Sequence, residues 1–358
     1  MEDLVTILKE LGKKRILITG HTGFKGSWLT EWLLKYGSEV VGIALEPEVA
    51  PSHFDQLNLR KRIHHYVVDV RDAARLNEVF VRHRPQVVFH LAAQALVRRS
   101  YRDPKETFDI NVGGGVNVLE AVRHCQSVES LVFVTSDKCY LNKELTRGYT
   151  ELDELGGIDP YSASKASAEL LFATYNSSYF AERKGFAAAS ARAGNVVGGG
   201  DWSEDRIVPD CMRSLINSSP ISLRRPQATR PWQHVLEPLS GYITLAGRLL
   251  SDPTTARGSW NFGPSENSVH SVLDVVNACI NSWGVSIPVE IHKSDVHEAG
   301  LLQLNCDKAK KELGWVPRWD FGRTILETTE WYKHTSNGQP VNRTTADQIT
   351  RYEESKVD

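Results

Sequence analysis

The stretch RILITGHTGFKGSW (15–28) constrains this chain more than any other. A short β-branched run, RILIT, leads into glycines at 20, 23 and 26, then into the amphipathic pattern WLTEWLLKY. Glycine permits a tight turn and lets backbone N–H groups approach an anion at the positive end of a helix. Five further apolar runs follow: EVVGIA (39–44), HYVVDV (65–70), QVVFHLA (86–92), LVFVTS (131–136) and FAAASAR (186–192). None alternates strictly, as expected of strands buried on both faces. Helical patterns such as DAARLNEVFVRH and NVGGGVNVLEAVRH lie between them. Repeated strand–helix–strand units predict an α/β fold, a doubly wound parallel sheet of Rossmann type with right-handed crossovers.

After residue 195 the pattern loosens. Gly198, Gly199 and Gly200 form a flexible loop, and a helix is expected from near Asp205. Short strands are expected at ISL (221–223) and WNFG (260–263), and later helices at HSVLDVVNACINSW and CDKAKKELGW. A length of 358 residues suits two domains, or one large domain with a smaller lobe. The expected division is a nucleotide-binding domain over 12–194 to which the chain returns over 232–262. A smaller substrate lobe takes 195–231 and 263–335, and residues 336–358 form a polar, partly mobile tail.

Composition excludes several classes. Apolar residues make up 41% and charged residues 24%, the balance of an ordinary globular protein. A formal net charge of −2 provides no basic field for nucleic acid or an anionic membrane. No apolar run approaches the ~20 residues that span a bilayer. The opening MEDLVTILKELGKKR reads as a short amphipathic helix rather than a signal peptide, so a cytoplasmic protein is expected. Five scattered cysteines without a C-x-x-C argue against a disulfide framework or a zinc site, and no metal is expected. Cys139 reads as a buried structural thiol. His64, His65, Arg98 and Arg99 are assigned to surface or packing.

Position gives the glycine turn its weight, because it follows a strand and opens a helix at the start of a β-α-β run. Gly20, Thr22, Gly23, Phe24, Lys25 and Gly26 form the candidate dinucleotide cradle. The second strand ends on Ala44 where an acid would meet an adenosine ribose, with Glu46 and Glu48 shortly after. No arginine sits close after that strand in sequence to receive a 2′-phosphate, which favours NAD over NADP. Asp69 and Val70 are placed to meet an adenine edge, although a solvated strand end accounts equally for Asp69. Leu91, Ala92 and Ala93, in HLAAQ (90–94), end the fourth strand on small residues, as close backbone approach to a cofactor requires.

The chemistry gathers at two motifs. LVFVTSDKCY (131–140) ends a buried strand on Ser136, Asp137 and Lys138. YSASKASAEL places Tyr161 and Lys165 at i and i+4 on one face of a helix. Lys165 there can hold charge near the phenol and favour the phenolate. A phenolate can take the proton of a sugar hydroxyl while hydride leaves the same carbon, and Ser136 can hydrogen-bond that oxygen.

The glycine turn, HLAAQ, Ser136 and the Tyr161/Lys165 pair together resemble the extended short-chain dehydrogenase/reductase family of sugar-nucleotide enzymes, over about residues 14 to 332. Dehydratases of that family carry an Asp-Glu pair after the Ser/Thr, and epimerases lack it. Here the pair is Asp137-Lys138. With GHTGFKGSW and ATRPWQHVLEPLSGY (228–242), this version is most similar to the members that act on CDP-D-glucose. The resemblance implies loss of water to give a 4-keto-6-deoxy sugar by internal hydride transfer from C4 to C6 through bound NAD. Tyr161 would take the hydroxyl proton, Ser136 would polarise C4, and the next two residues would work at C5 and C6. Matching by position makes Asp137 the acid and Lys138 the base. A close pair holds one proton under either assignment, so the microstate stays open.

The same resemblance implies substrate contacts for Gln94, Asn195 and Trp202, and diphosphate contacts for Arg224 and Arg230, whose forked guanidiniums suit phosphate. It departs at VHEAG (296–300), where related enzymes that act on dTDP sugars carry an arginine. A homodimer built on the helices NVGGGVNVLEAVRH and YSASKASAELLFATY is expected. A role in deoxysugar biosynthesis for bacterial lipopolysaccharide O-antigen follows from the resemblance. A 4-epimerase and a non-catalytic dinucleotide-sensing protein remain the rivals.

Overall fold

The structure is a computed structural model that describes residues 3–265, 268–292 and 302–356. Its centre is a seven-stranded sheet. The strands β1 (Arg15–Thr19), β2 (Glu39–Ala44), β3 (His64–Val67), β4 (Val87–His90), β5 (Ser130–Val134) and β6 (Ala187–Ala193) supply six of them. The strand Gly258–Phe262 supplies the seventh, beside β6. Every pairing is parallel, in the order β3-β2-β1-β4-β5-β6 and then Gly258–Phe262. The order reverses between β1 and β4, which opens a crevice at the carboxyl ends of those strands.

The apolar runs form strands because both faces of the sheet are covered. On one face Trp28, Trp32, Trp260 and Trp331 pack with Leu8, Leu11 and Tyr242. On the other, Phe80, Leu119, Val122, Phe133 and Phe172 fill the layer. A helix over Leu4–Leu11 closes one side and buries Ile7, Leu8 and Leu11. Beyond β6 the chain makes three small two-stranded pairs, among them Ile221–Leu223 with Val289–Ile291. The helix expected from Asp205 runs over Ile207–Ile216. The third strand stops at Val67, so Asp69 and Val70 lie beyond it.

The C-terminal segment differs from expectation. Val341–Glu354 is a helix, with Ile349 and Tyr352 fully buried. Its inward stripe consists largely of Thr344, Thr345 and Gln348, which composition reads as a polar tail. Glu353 accepts hydrogen bonds from Trp32 Nε1 (2.8 Å) and Tyr36 Oη (3.0 Å), tying this helix to the one that begins at the glycine turn. Among the described residues, no helix is long and apolar enough to cross a membrane.

Candidate active site

A cleft of about 1950 Å³ lies along the carboxyl edge of the sheet. Gly20, Thr22, Gly23, Phe24, Lys25 and Gly26 line one wall. Gly20 has φ +78°, and a Cβ on it would stand 2.7 Å from Ala92 N. A Cβ on Gly26 would stand 2.1 Å from Gly20 O. The turn therefore packs backbone on backbone, and no other residue fits at either position. The helix Phe24–Lys35 has Gly23 as its N-cap with no side-chain cap, which leaves its first N–H groups uncapped by the chain beside the cleft. This cradle fits a dinucleotide pyrophosphate. Burial pushes Lys25, inside the same turn, down to about 8.

At the outer end of this wall the structure corrects one expectation. Arg60, distant in sequence from β2, donates to Glu46 Oε1 at 3.1 Å, so an arginine does stand by the end of that strand. It is also 2.9 Å from His65 Nε2, and His65 Nδ1 is 2.7 Å from His21 Nε2. His65, assigned to surface or packing, is one packed link in a row from the glycine turn to Glu46. Asp69 lines the cleft but is held by Arg71, whose Nη2 lies 2.6 Å away and keeps the carboxyl below its usual range. Val70, Leu91, Ala92 and Ala93 complete this stretch of lining. Asn117 donates to Val70 O at 2.9 Å, and Ala92 N donates to Thr19 Oγ1 at 3.2 Å.

The polar trio sits where β5 ends. Ser136 caps a single turn over Asp137–Cys139, accepting from Lys138 N at 3.2 Å and donating to Asp137 Oδ1 at 2.9 Å. Ser136 and Asp137 are buried and Lys138 is half-buried, and all three line the cleft. The open space beside Asp137 depends on Gly194, where a Cβ would stand 3.1 Å from Oδ2. Cys139 is fully buried, and burial pushes its thiol well up.

Tyr161 and Lys165 face this trio from the helix Pro160–Tyr175, whose N-cap Asp159 accepts from Ser162 N. Burial pushes Tyr161 up to about 12, against the opposing pull of a hydrogen bond with Ser136. Burial pushes Lys165 down to about 8, and its Nζ stands 6.0 Å from the Tyr161 ring centroid. The charge of Arg206, held by Asp201 at 3.0 Å, also draws the phenol down. Sequence reasoning missed Arg206. The signal available was its place in DWSEDR, directly before a helix on the far side of the loop from β6.

Behind the pair lies a buried polar network. Glu169, one turn beyond Lys165, accepts from Thr135 Oγ1, Ser190 Oγ (2.9 Å) and Arg192 Nη2 (2.6 Å). Arg192 Nη1 in turn donates to Tyr140 Oη at 2.7 Å.

On the opposite wall, Asn195, Trp202, Arg224 and Arg230 line the cleft. Trp202 stacks edge-on against Tyr332 at 5.0 Å. Arg230 Nη1 donates to Thr229 O at 2.8 Å. Asp205 accepts from both Arg98 (2.9 Å) and Arg224 (3.2 Å), so Arg98, assigned to surface or packing, makes an ion pair at the cleft mouth. Gln94 lines the cleft, yet its carboxamide is committed to its own loop: it donates to Thr107 Oγ1 and Leu96 O and accepts from Leu96 N. These bonds hold the loop after β4, with Gln94 at the cleft wall. The VHEAG segment (296–300) lies outside the described residues.

The family described as GDP-mannose 4,6 dehydratase matches residues 17–328. The chain belongs to that family. It is 43% identical over 333 residues to a CDP-glucose 4,6-dehydratase of Salmonella typhimurium, covering 92% of this chain and 93% of the relative. Among solved structures, the UDP-glucose 4-epimerase of Thermus thermophilus, a complex with NAD, aligns with a TM-score of 0.76 and 28% identity. That alignment covers 89% of this chain and 99% of the epimerase. The dTDP-glucose 4,6-dehydratase of Bacillus anthracis, at TM-score 0.74 and 22% identity over 90% and 98% of the two chains, shares the fold. In this chain the trio after β5 carries Asp137 and Lys138, which line the same cleft as Tyr161.

Proposed function

We propose that this protein is a CDP-D-glucose 4,6-dehydratase that uses NAD and releases the 4-keto-6-deoxy sugar nucleotide and water. The observation that carries the proposal is the convergence of Ser136, Asp137 and Lys138 with Tyr161 and Lys165 in one cleft beside the glycine cradle. The 43% identity to a CDP-glucose 4,6-dehydratase supports the substrate.

Gly20, Gly23 and Gly26 would seat the pyrophosphate of NAD against the uncapped helix start. Bound NAD supplies the hydride chemistry, which begins at C4 and ends at C6. Tyr161 takes the proton of the C4 hydroxyl, while Ser136 donates a hydrogen bond to the same oxygen. Lys165 and Arg206 favour the phenolate when the site closes on substrate. A ketone at C4 acidifies the proton on C5. Lys138 accepts that proton as base and returns it to C5 at the end, Asp137 gives a proton to the departing C6 hydroxyl, and the proton taken by Tyr161 balances the one that Asp137 gave. Arg224 and Arg230 hold the diphosphate, with Asn195 beside them, and Trp202 borders the sugar. The sheet with the return segment 232–262 forms the cofactor side, and 195–231 with 263–335 forms the substrate side. The chain works as a cytoplasmic homodimer and feeds deoxysugars to a surface polysaccharide such as lipopolysaccharide O-antigen.

The test offers CDP-, dTDP-, UDP- and GDP-glucose in parallel, following product mass and nicotinamide absorbance. Loss of one water from CDP-glucose alone, with no net absorbance change, is the expected result. A product of unchanged mass with inverted C4 would replace the proposal by an epimerase.

A further inference from the structure

At the amino ends of β2 and β3, the opposite edge of the sheet from the cleft, three metal-binding side chains converge. Glu39 is the first residue of β2, His64 is the first of β3, and His83 is the last of the helix Ala73–His83. Each offers one ligand atom, and the three atoms lie within 4.8 Å of one another. One pair, His64 Nε2 and Glu39 Oε1, is 3.4 Å apart. Bonds of about 2.0–2.1 Å at tetrahedral angles separate two zinc ligands by about 3.3–3.4 Å, so this pair already stands at the required spacing. The rings of His64 and His83 face one another at 4.9 Å between centroids.

The third ligand carries an orienting partner. His83 Nε2 lies 2.7 Å from Tyr66 Oη. When Nε2–H donates to the phenol oxygen, the lone pair on Nδ1 is left for a metal, the arrangement that fixes the tautomer of ligating histidines. Glu39 and His64 are exposed, so an ion can enter from solvent.

We infer that Glu39, His64 and His83 form a binding site for a divalent transition metal of the zinc class, with water completing the shell. Two imidazoles and a carboxylate suit zinc, cobalt or nickel rather than calcium or magnesium, which prefer oxygen donors. The ion would tie the edge strand β3 to its neighbour β2 and to the helix that follows. It touches nothing in the cleft, so its role is to fasten the sheet edge and not to take part in turnover.

The full chain, stripped with a chelator and returned to metal-free buffer, is titrated with Co²⁺ and separately with Zn²⁺. The expected result is one cobalt per chain at micromolar concentration, with the visible absorption of a four-coordinate ion. His64→Asn and His83→Asn should each abolish that band, and Tyr66→Phe should weaken binding several-fold. Zinc should raise the melting temperature of the parent chain but not of the two histidine variants, while turnover stays the same with and without metal. Absence of stoichiometric binding to the parent chain overturns the inference, as does binding that survives both histidine substitutions. Asparagine at these positions leaves the core untouched, so a folding failure does not confuse the reading.

Discussion

Glu169 and Arg192 meet at 2.6 Å with side chains 1% and 3% exposed, directly behind the helical turn that carries Lys165. Glu169 also receives Thr135, the residue before Ser136. One carboxylate thus fixes the Tyr161/Lys165 helix against the strand end that bears the polar trio. A buried pair of this kind is poor evidence for net stability, but breaking it strands a charge. Glu169→Gln should destabilise the fold by about 3–5 kcal/mol in denaturant titration. Replacing both partners, Glu169→Gln with Arg192→Met, should recover much of that loss.

The glycine cradle gives a sharper contrast. Gly26→Ala forces a Cβ to 2.1 Å from Gly20 O, whereas a Cβ on Gly113 meets nothing within 4 Å. Calorimetric titration with NAD should show binding abolished or weakened at least tenfold in Gly26→Ala. Gly113→Ala should bind as the parent does.

Acid and base at C5 and C6 separate by isotope exchange. If Lys138 is the base, Asp137→Asn still removes the C5 proton and incorporates solvent deuterium there, while Lys138→Met does not. Mass spectrometry of recovered sugar nucleotide reads the difference directly. Deuterium in the Lys138→Met sample alone would exchange the two roles.

One buried carboxyl makes a contribution to stability that is lost as pH rises to neutrality. Glu237 is fully buried, and burial pushes its carboxyl up to about 7 although Tyr352 Oη and the Trp319 N–H both donate to it. The folded state therefore holds this proton more tightly than the unfolded state does. Its contribution is complete below about 4.5 and is lost as pH rises through about 7. The displacement from 4.5 to about 7 is worth roughly 3 kcal/mol. His21, His53, His90 and His234, each pushed down to about 3 by burial, act in the opposite sense in parent and variant alike, so the reading is a difference: from mildly acidic to neutral pH the melting temperature of the parent chain should lose ground to that of Glu237→Gln.

The sheet was readable because its signal is local. RILIT and EVVGIA coincide with β1 and β2, since each apolar run is bounded by glycine or charge. The Tyr161/Lys165 spacing and the Ser136–Lys138 trio were likewise visible as short motifs. What escaped depends on contacts between distant segments. Arg60 reaches Glu46, Arg98 reaches Asp205, and Arg206 acts on Tyr161, and none of these pairs forms a pattern along the chain. Gln94 sits in a motif that suggested substrate, yet Thr107 and Leu96 take its carboxamide. The C-terminal helix hid because hydropathy does not recognise a buried stripe of threonine and glutamine.

That helix imposes an order on the protein's synthesis. Trp32, on the helix behind the glycine turn, finds its hydrogen-bond partner in Glu353, 321 residues later. At roughly 5–20 residues per second, a ribosome delivers that partner on the order of tens of seconds after Trp32. Through that interval the flank of the first helix that Glu353 meets lacks this partner. The nascent chain therefore waits for its own far end, and a factor that shields exposed apolar surface would find its longest opportunity there.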